Sequence, residues 1–228
     1  GLFYFLSLGT GGNEVYDVSQ ILKNDPNAAQ SNEAWLAAGG GAINTAHWWG
    51  KSIFGYYYAV DSWVIERDVM MLTDAGVDFL AIDYSNTSTF PKQLLVLLKA
   101  LDKYYRQGYD VPQITFITKS QSGTQVAKLY NNAYLAYPEY SHLWYQMDGK
   151  PLIVADDSID EIPEICRNYF TFRYSQWPRE SYHADGFPWM DFGKWTADGK
   201  QAVFGDANTK TIMSVSVAQH KGTLAFSS

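Results

Sequence analysis

The 228-residue sequence holds one cysteine, four histidines and only 18% charged residues. A single cysteine leaves no internal disulfide and no thiolate-cluster metal site. Cys166, set between Ile165 and Arg167, reads as a packed thiol. The histidines show no HExxH or HxH spacing, so no metal and no cofactor is expected. Basic residues are in the minority, 17 Lys and Arg against 24 Asp and Glu, for a net charge of −7. Without a basic cluster interleaved with aromatics, nucleic acid is not an expected partner. Every apolar run is interrupted by Asp or Glu well short of the roughly 20 residues that span a bilayer, so no membrane partner is expected either. There is no GxSxG elbow. "GTGG" at 9–12 lacks the spacing of a dinucleotide loop and reads as a flexible segment.

What is plentiful is aromatic: 16% of the chain, with eight Trp and 17 Tyr, inside a composition that is 46% hydrophobic. That is the make-up of a globular protein with a substantial core. Tyr and Trp join a flat apolar face to a polar tip, which suits surfaces that hold sugars. Large α/β cores use the same residues, so composition alone does not separate the two.

Short apolar runs bounded by turn residues recur along the chain. They are "LFYFLSL" (2–8), "FGYYYAV" (54–60), "DFLAIDY" (78–84), "QITFITK" (113–119), "PLIVAD" (151–156), "YFTFRYS" (169–175) and "IMSVSVAQ" (212–219). Runs apolar on both faces are what parallel strands covered by helices look like. Helices are expected between them. One covers 62–75, with Ile65, Val69 and Leu72 on one face and Gly76 as its stop. A second begins at Pro91 and ends at Gly108, a third covers about 123–136, and a short one lies near 160–168. The alternation implies a parallel sheet with right-handed crossovers. It favours an α/β fold of the (β/α)8 TIM-barrel type, one domain over 1–228 missing its last strand and helix, as a piece of a longer chain would be. A doubly wound sheet is the alternative. Residues 9–52, with "HWWG", and 178–210 are expected to be long loops with functional roles.

Barrel enzymes build their sites at the C-terminal ends of the strands. Here those ends carry Tyr58 and Asp61, then Asp83, Tyr84 and Asn86, then Thr118 and Ser120. Further along come Asp156 and Asp157, then Arg173, Gln176 and Trp177, then Gln219 and His220. An acidic rim with aromatic neighbours suits glycoside hydrolysis. Two carboxyl groups flank the scissile bond, about 5 Å apart for retention or about 6.5–9.5 Å for inversion. Asp83, Asp156 and Asp157 are the catalytic candidates. Adjacent acids at a strand end point opposite ways, so at most one of the last two faces the site. Trp48, Trp49 and Trp177 are candidate stacking platforms, with Trp189 and Trp195 behind them. Tyr58, Asp61, Asn86, Arg173, Gln176 and His220 are candidate hydrogen-bonding contacts, and His47 is a weaker one. Asp61 also stands where it would cap the helix starting near Ser62.

The segments "FGYYYAVDSWVIERDVMMLTDAGVDFLAIDYSN", "GYDVPQITFITKS", "LWYQMDGKPLIVADD" and "FTFRYSQWP" resemble barrel-type glycoside hydrolases of the family 71/99-like group, similar to proteins of polysaccharide-degrading bacteria. The resemblance implies a TIM barrel, a carbohydrate substrate and catalysis without a cofactor. "GVDFLAIDY" is also similar to the nucleophile strand of α-galactosidase-type barrels, which implies a nucleophile's role for Asp83. No counterpart of the paired-glutamate motif of family 99 is present, so the resemblance does not supply a second carboxylate.

The reading is a glycoside hydrolase acting on a plant or microbial polysaccharide, and that substrate class suggests a secreted or periplasmic protein. The alternative is a non-catalytic carbohydrate-binding protein on a degenerate barrel. It would keep Trp48, Trp49 and Trp177 but lack a converging carboxylate pair.

Overall fold

The computed structural model describes residues 1–7, 14–42, 45–86, 90–156, 161–177, 180–189, 203–205 and 212–215. Two compact units account for the chain, Gly1–Asp78 with Phe90–Pro112, and Phe79–Thr89 with Gln113–Ser228.

The first unit holds β1 (Leu2–Tyr4), α1 (Val18–Asn24), α2 (Asn32–Ala37), α3 (Ser62–Asp74) and α4 (Pro91–Tyr105). Two of its helices fall where the sequence places them. α3 buries Val64, Ile65 and Val69, and α4 opens on Pro91 and buries Leu94, Leu97, Leu98 and Leu101. Both end in the same way. Gly76 and Gly108 adopt φ of +68° and +89°, a conformation glycine reaches without steric cost. The Val77 N–H then reaches back to the Leu72 carbonyl, as the Tyr109 N–H does to that of Tyr104, closing Schellman motifs. Lys103 on α4 meets Glu66 on α3 at 2.7 Å.

Residues 9–52, expected as a long loop, contain α1, a 3-10 turn at Ala28–Gln30 and α2. Asp17 fastens this region. Its carboxylate accepts the Ser19 hydroxyl at 2.6 Å and the Gln20 N–H at 3.2 Å, and the Tyr56 hydroxyl reaches the other oxygen at 2.5 Å. The Ser19 bond first and the Tyr56 bond second hold its pKa below the ordinary 3.8. Asp17→Ala removes the cap of α1 and a charge-assisted bond, for an expected loss of about 2 kcal/mol at neutral pH. A folded-state pKa below the unfolded one stabilises fully above the unfolded value and is lost as pH falls through the folded value. The gap between wild type and Asp17→Ala should therefore hold above pH 3.8 and close only in acid. Urea titrations across that range check it.

The strand expected at 54–60 does not form. Gly55 turns the chain at φ +81°, with the Gly55 N–H on the Ser52 carbonyl. The Tyr57 carbonyl is taken by the indole N–H of Trp48 at 3.0 Å, and the rings of Tyr56 and Tyr58 pack edge-on against Trp48. The aromatic run is a local cluster around one tryptophan.

The second unit holds β2 (Phe79–Asp83), β3 (Gln113–Ile117), α5 (Ser122–Leu129), β4 (Gln146–Met147), β5 (Lys150–Ala155), α6 (Glu164–Tyr169), β6 (Thr171–Gln176) and β7 (Gly186–Pro188). α5 runs on into a π-helical turn, Tyr130–Tyr134. The sheet order is β2-β3-β5-β6-β7, and each neighbouring pair is parallel. β4 pairs antiparallel with β5 through Asp148 and Gly149, both at positive φ, the Asp-Gly signature of a tight hairpin. β7 lies within 178–210, where the sequence predicts only loop. Its Gly-Phe-Pro offers one strand-forming residue, and Pro188 is tolerated because β7 is last in the sheet order. Of the strand expected at 212–219, Ile212 makes an isolated bridge to Phe204 and 213–215 are not strand; 216–219 lie outside the described residues.

In-register partners on parallel strands point to the same face, and successive residues alternate. One face therefore carries Leu80, Ile82, Ile114, Phe116 and Ile153. It is covered by aromatics, with Phe116 against Tyr134 and Trp144 and Tyr134 against Phe170. The other face carries Phe79, Asp83, Ile117, Val154, Arg173 and Phe187. Phe79 and Phe187 stand four strands apart, about 19 Å in a flat sheet. Their ring centroids are nevertheless 6.2 Å apart. The sheet is curled, with that second face inside. Among the described residues this is a parallel half-barrel with its helical layer outside: an α/β fold of the barrel type, short of a full set of units.

Candidate active site

Parallel strands end together, so the curled sheet delivers Asp83, Thr118, Asp156, Trp177 and Trp189 to one edge of the second unit. Asp83 closes β2 on the inner face. One carboxylate oxygen accepts the Ser85 N–H at 3.0 Å, a local turn that fixes the side chain, and the other oxygen has no protein partner among the described residues. The register Asp83–Ile117–Val154–Arg173 sets Asp83 and Arg173 in one layer of that face. Carried one residue past β5, the alternation that puts Val154 inside puts Asp156 inside as well. Its backbone N–H donates to the Ser122 hydroxyl at 3.0 Å, which itself donates to the Lys119 carbonyl at 3.1 Å. The strand end is thereby held to the start of α5.

The far side of the edge is aromatic. Trp177 and Trp189 stack at 4.6 Å with 6° between their planes, both on the inward alternation of their strands. Glu180 holds this corner. One of its oxygens pairs with Lys119 at 2.6 Å, and the other accepts the Trp177 N–H at 3.1 Å and the Tyr174 hydroxyl at 3.4 Å. Lys119 also donates to the Ser175 carbonyl at 3.2 Å. Sequence reading missed Glu180, which lies in a loop with no motif around it.

The remaining expected residues separate clearly. Gln176 is fully buried and committed to the following loop, accepting the His183 N–H at 2.9 Å and donating to the Ser181 carbonyl at 3.0 Å. It shapes the rim from the outer side and is not a free contact. Asn86 is exposed in the turn after β2. Tyr84 is buried against Phe116 on the outer face. In the first unit, Asp61 is the N-cap of α3, accepting the Trp63 and Val64 N–H groups. Trp48 is 3% exposed with its indole N–H used, so it is core and not a platform. Tyr58 packs on it. Trp49 is 85% exposed, and His47 is held by the Gly40 carbonyl at 2.6 Å. Asp157 and His220 lie outside the described residues. No cluster of three His, Cys, Asp or Glu side chains suited to a metal occurs among the described residues, and no described helix is long and apolar enough to cross a membrane.

No protein-family model matches the chain, and no curated protein matches it. Among solved structures, the chain is similar to the GH99 endo-alpha-mannosidase from Bacteroides thetaiotaomicron, at 17% identity and a TM-score of 0.42 over 54% of this chain and 40% of that one. A second structure of that enzyme, in complex with bis-tris-propane, gives 16% identity and a TM-score of 0.42 over 57% and 43%. The chain thus spans about two-fifths of that enzyme's length.

Proposed function

We propose that the chain carries the catalytic half-barrel of a glycoside hydrolase, with Asp83 and Asp156 as its carboxyl pair. The observation supporting this reading is their placement. Both acids stand on the inner alternation at one edge of a curled parallel sheet, beside the stacked Trp177 and Trp189. Two carboxyl groups at one strand-end edge of a curled sheet, with flat rings on the same edge, suit hydrolysis of a glycosidic bond. One protonates the leaving oxygen, while the other attacks the anomeric carbon or activates water. Asp83, with one oxygen locked by Ser85 and the other free, has the geometry of the nucleophile or base. Asp156 is then the acid. Trp177 and Trp189 form the sugar platform, held in place by Glu180.

The test is sugar release from a panel of polysaccharides and oligosaccharides by the full-length parent protein, with binding measured alongside. Release from at least one glycan is the expected result. Binding without release from any of them favours the binding protein instead.

A further inference from the structure

We infer that the inner face of β6 is a subsite for an anionic substituent, a carboxylate or a sulfate ester, on the glycan. This rests on the glycan-processing reading above and names the substrate class for it. Arg173, Ser175 and Trp177 are alternate residues of one strand and its first continuation, so all three project from the inner face. Each leaves a buried polar atom without a protein partner among the described residues: Nε of Arg173, the hydroxyl of Ser175 and the indole nitrogen of Trp177. Arg173 and Ser175 are only 7% and 1% exposed. The side-chain hydrogen bond that Arg173 makes among the described residues is a long one, 3.5 Å from Nη2 to the Gly186 carbonyl.

Native proteins leave few such groups, and each calls for an explanation. Three in a row on one strand, over about 13 Å, call for a shared one. All three can donate, so the matching ligand is rich in acceptors. A guanidinium shut away from water is costly unless it meets an opposite charge, and its planar fork suits a carboxylate or a sulfate. Asp83 lies in the same layer but forms no ion pair with Arg173 among the described residues. No carboxylate among the described residues therefore supplies that anion. Ordered water could satisfy the hydroxyl and the indole, yet water leaves the guanidinium charge unmatched.

The experiment is calorimetric binding of three matched trisaccharides: a hexuronate, its carboxyl-reduced neutral form, and a sulfated neutral form. Wild type is compared with Arg173→Lys, Arg173→Gln and Ser175→Ala, and free sulfate serves as competitor. The expected result is at least tenfold tighter binding of one or both anionic sugars than of the neutral one. The two anionic arms tell a carboxylate subsite from a sulfate subsite. Arg173→Gln should abolish the preference and Arg173→Lys should keep part of it. Ser175→Ala, which removes one oxygen atom, should weaken the anionic sugar several-fold while leaving the neutral one unchanged. Should the Arg173 variants not fold, Ser175→Ala and displacement by sulfate decide the question. Equal affinity for all three sugars overturns the subsite while leaving the glycan reading intact. No binding of any glycan overturns both.

Discussion

Asp83→Asn is expected to lower sugar release at least a hundredfold without disturbing the fold. The substitution keeps size and shape, and an amide oxygen can still accept the Ser85 N–H that now lies 3.0 Å from the carboxylate. The turn after β2 therefore survives. What disappears is the negative charge and the basicity. A carboxyl group acting as acid, base or nucleophile at a glycosidic centre contributes roughly 10²- to 10⁴-fold. Initial rates on the best glycan of the panel, with circular dichroism and glycan affinity of the variant, check this. Full activity in a folded variant removes Asp83 from the chemistry.

Phe116→Ala is expected to cost about 3–5 kcal/mol, a large share of the roughly 5–15 kcal/mol that holds an ordinary domain folded. Phe116 sits mid-sheet on β3, is 1% exposed, and touches the rings of Tyr84, Tyr134 and Trp144. Those neighbours come from the residue after β2, the π-helical turn and the segment before β4, so the cavity has no single mobile wall that could collapse into it. Urea denaturation of variant and wild type measures the difference. A loss below about 1 kcal/mol would mean that the outer core repacks far more readily than ring-on-ring contacts allow.

The strands buried on both faces were legible in the sequence. β2 and β3 fall inside the apolar runs at 78–84 and 113–119, and β5 and β6 each reach one residue outside those at 151–156 and 169–175, because continuous β-branched and aromatic residues have few other uses in a chain with turns on either side. Gly76 and Gly108 were legible as helix stops for a similar reason, since left-handed backbone favours glycine. The run at 54–60 misled because Trp48, distant in the periodic pattern, gathers its tyrosines and takes one of its carbonyls. β7 was invisible because three residues between turns carry no period.

At the site, Asp83 and Asp156 were legible as strand ends, whereas their sharing of an inner face follows from register and curl, which only tertiary contacts fix. Trp48 and Gln176 looked like ligand contacts by residue type. Each has its polar group spent on backbone partners, something no spacing rule reports. The row Arg173, Ser175, Trp177 did carry a signal, a two-residue alternation of polar and amphipathic side chains in "RYSQW", but alternation does not say which face is concave.

The measurement that tests the central claim most directly is the rate of sugar release by Asp83→Asn, Asp156→Asn and the double variant under identical conditions. Two carboxyl groups serving one reaction act as a unit, so each single variant should lose nearly as much as the double, far short of the product of the two losses. Full activity in Asp156→Asn, or losses that multiply in the double variant, would contradict the pairing of Asp83 with Asp156.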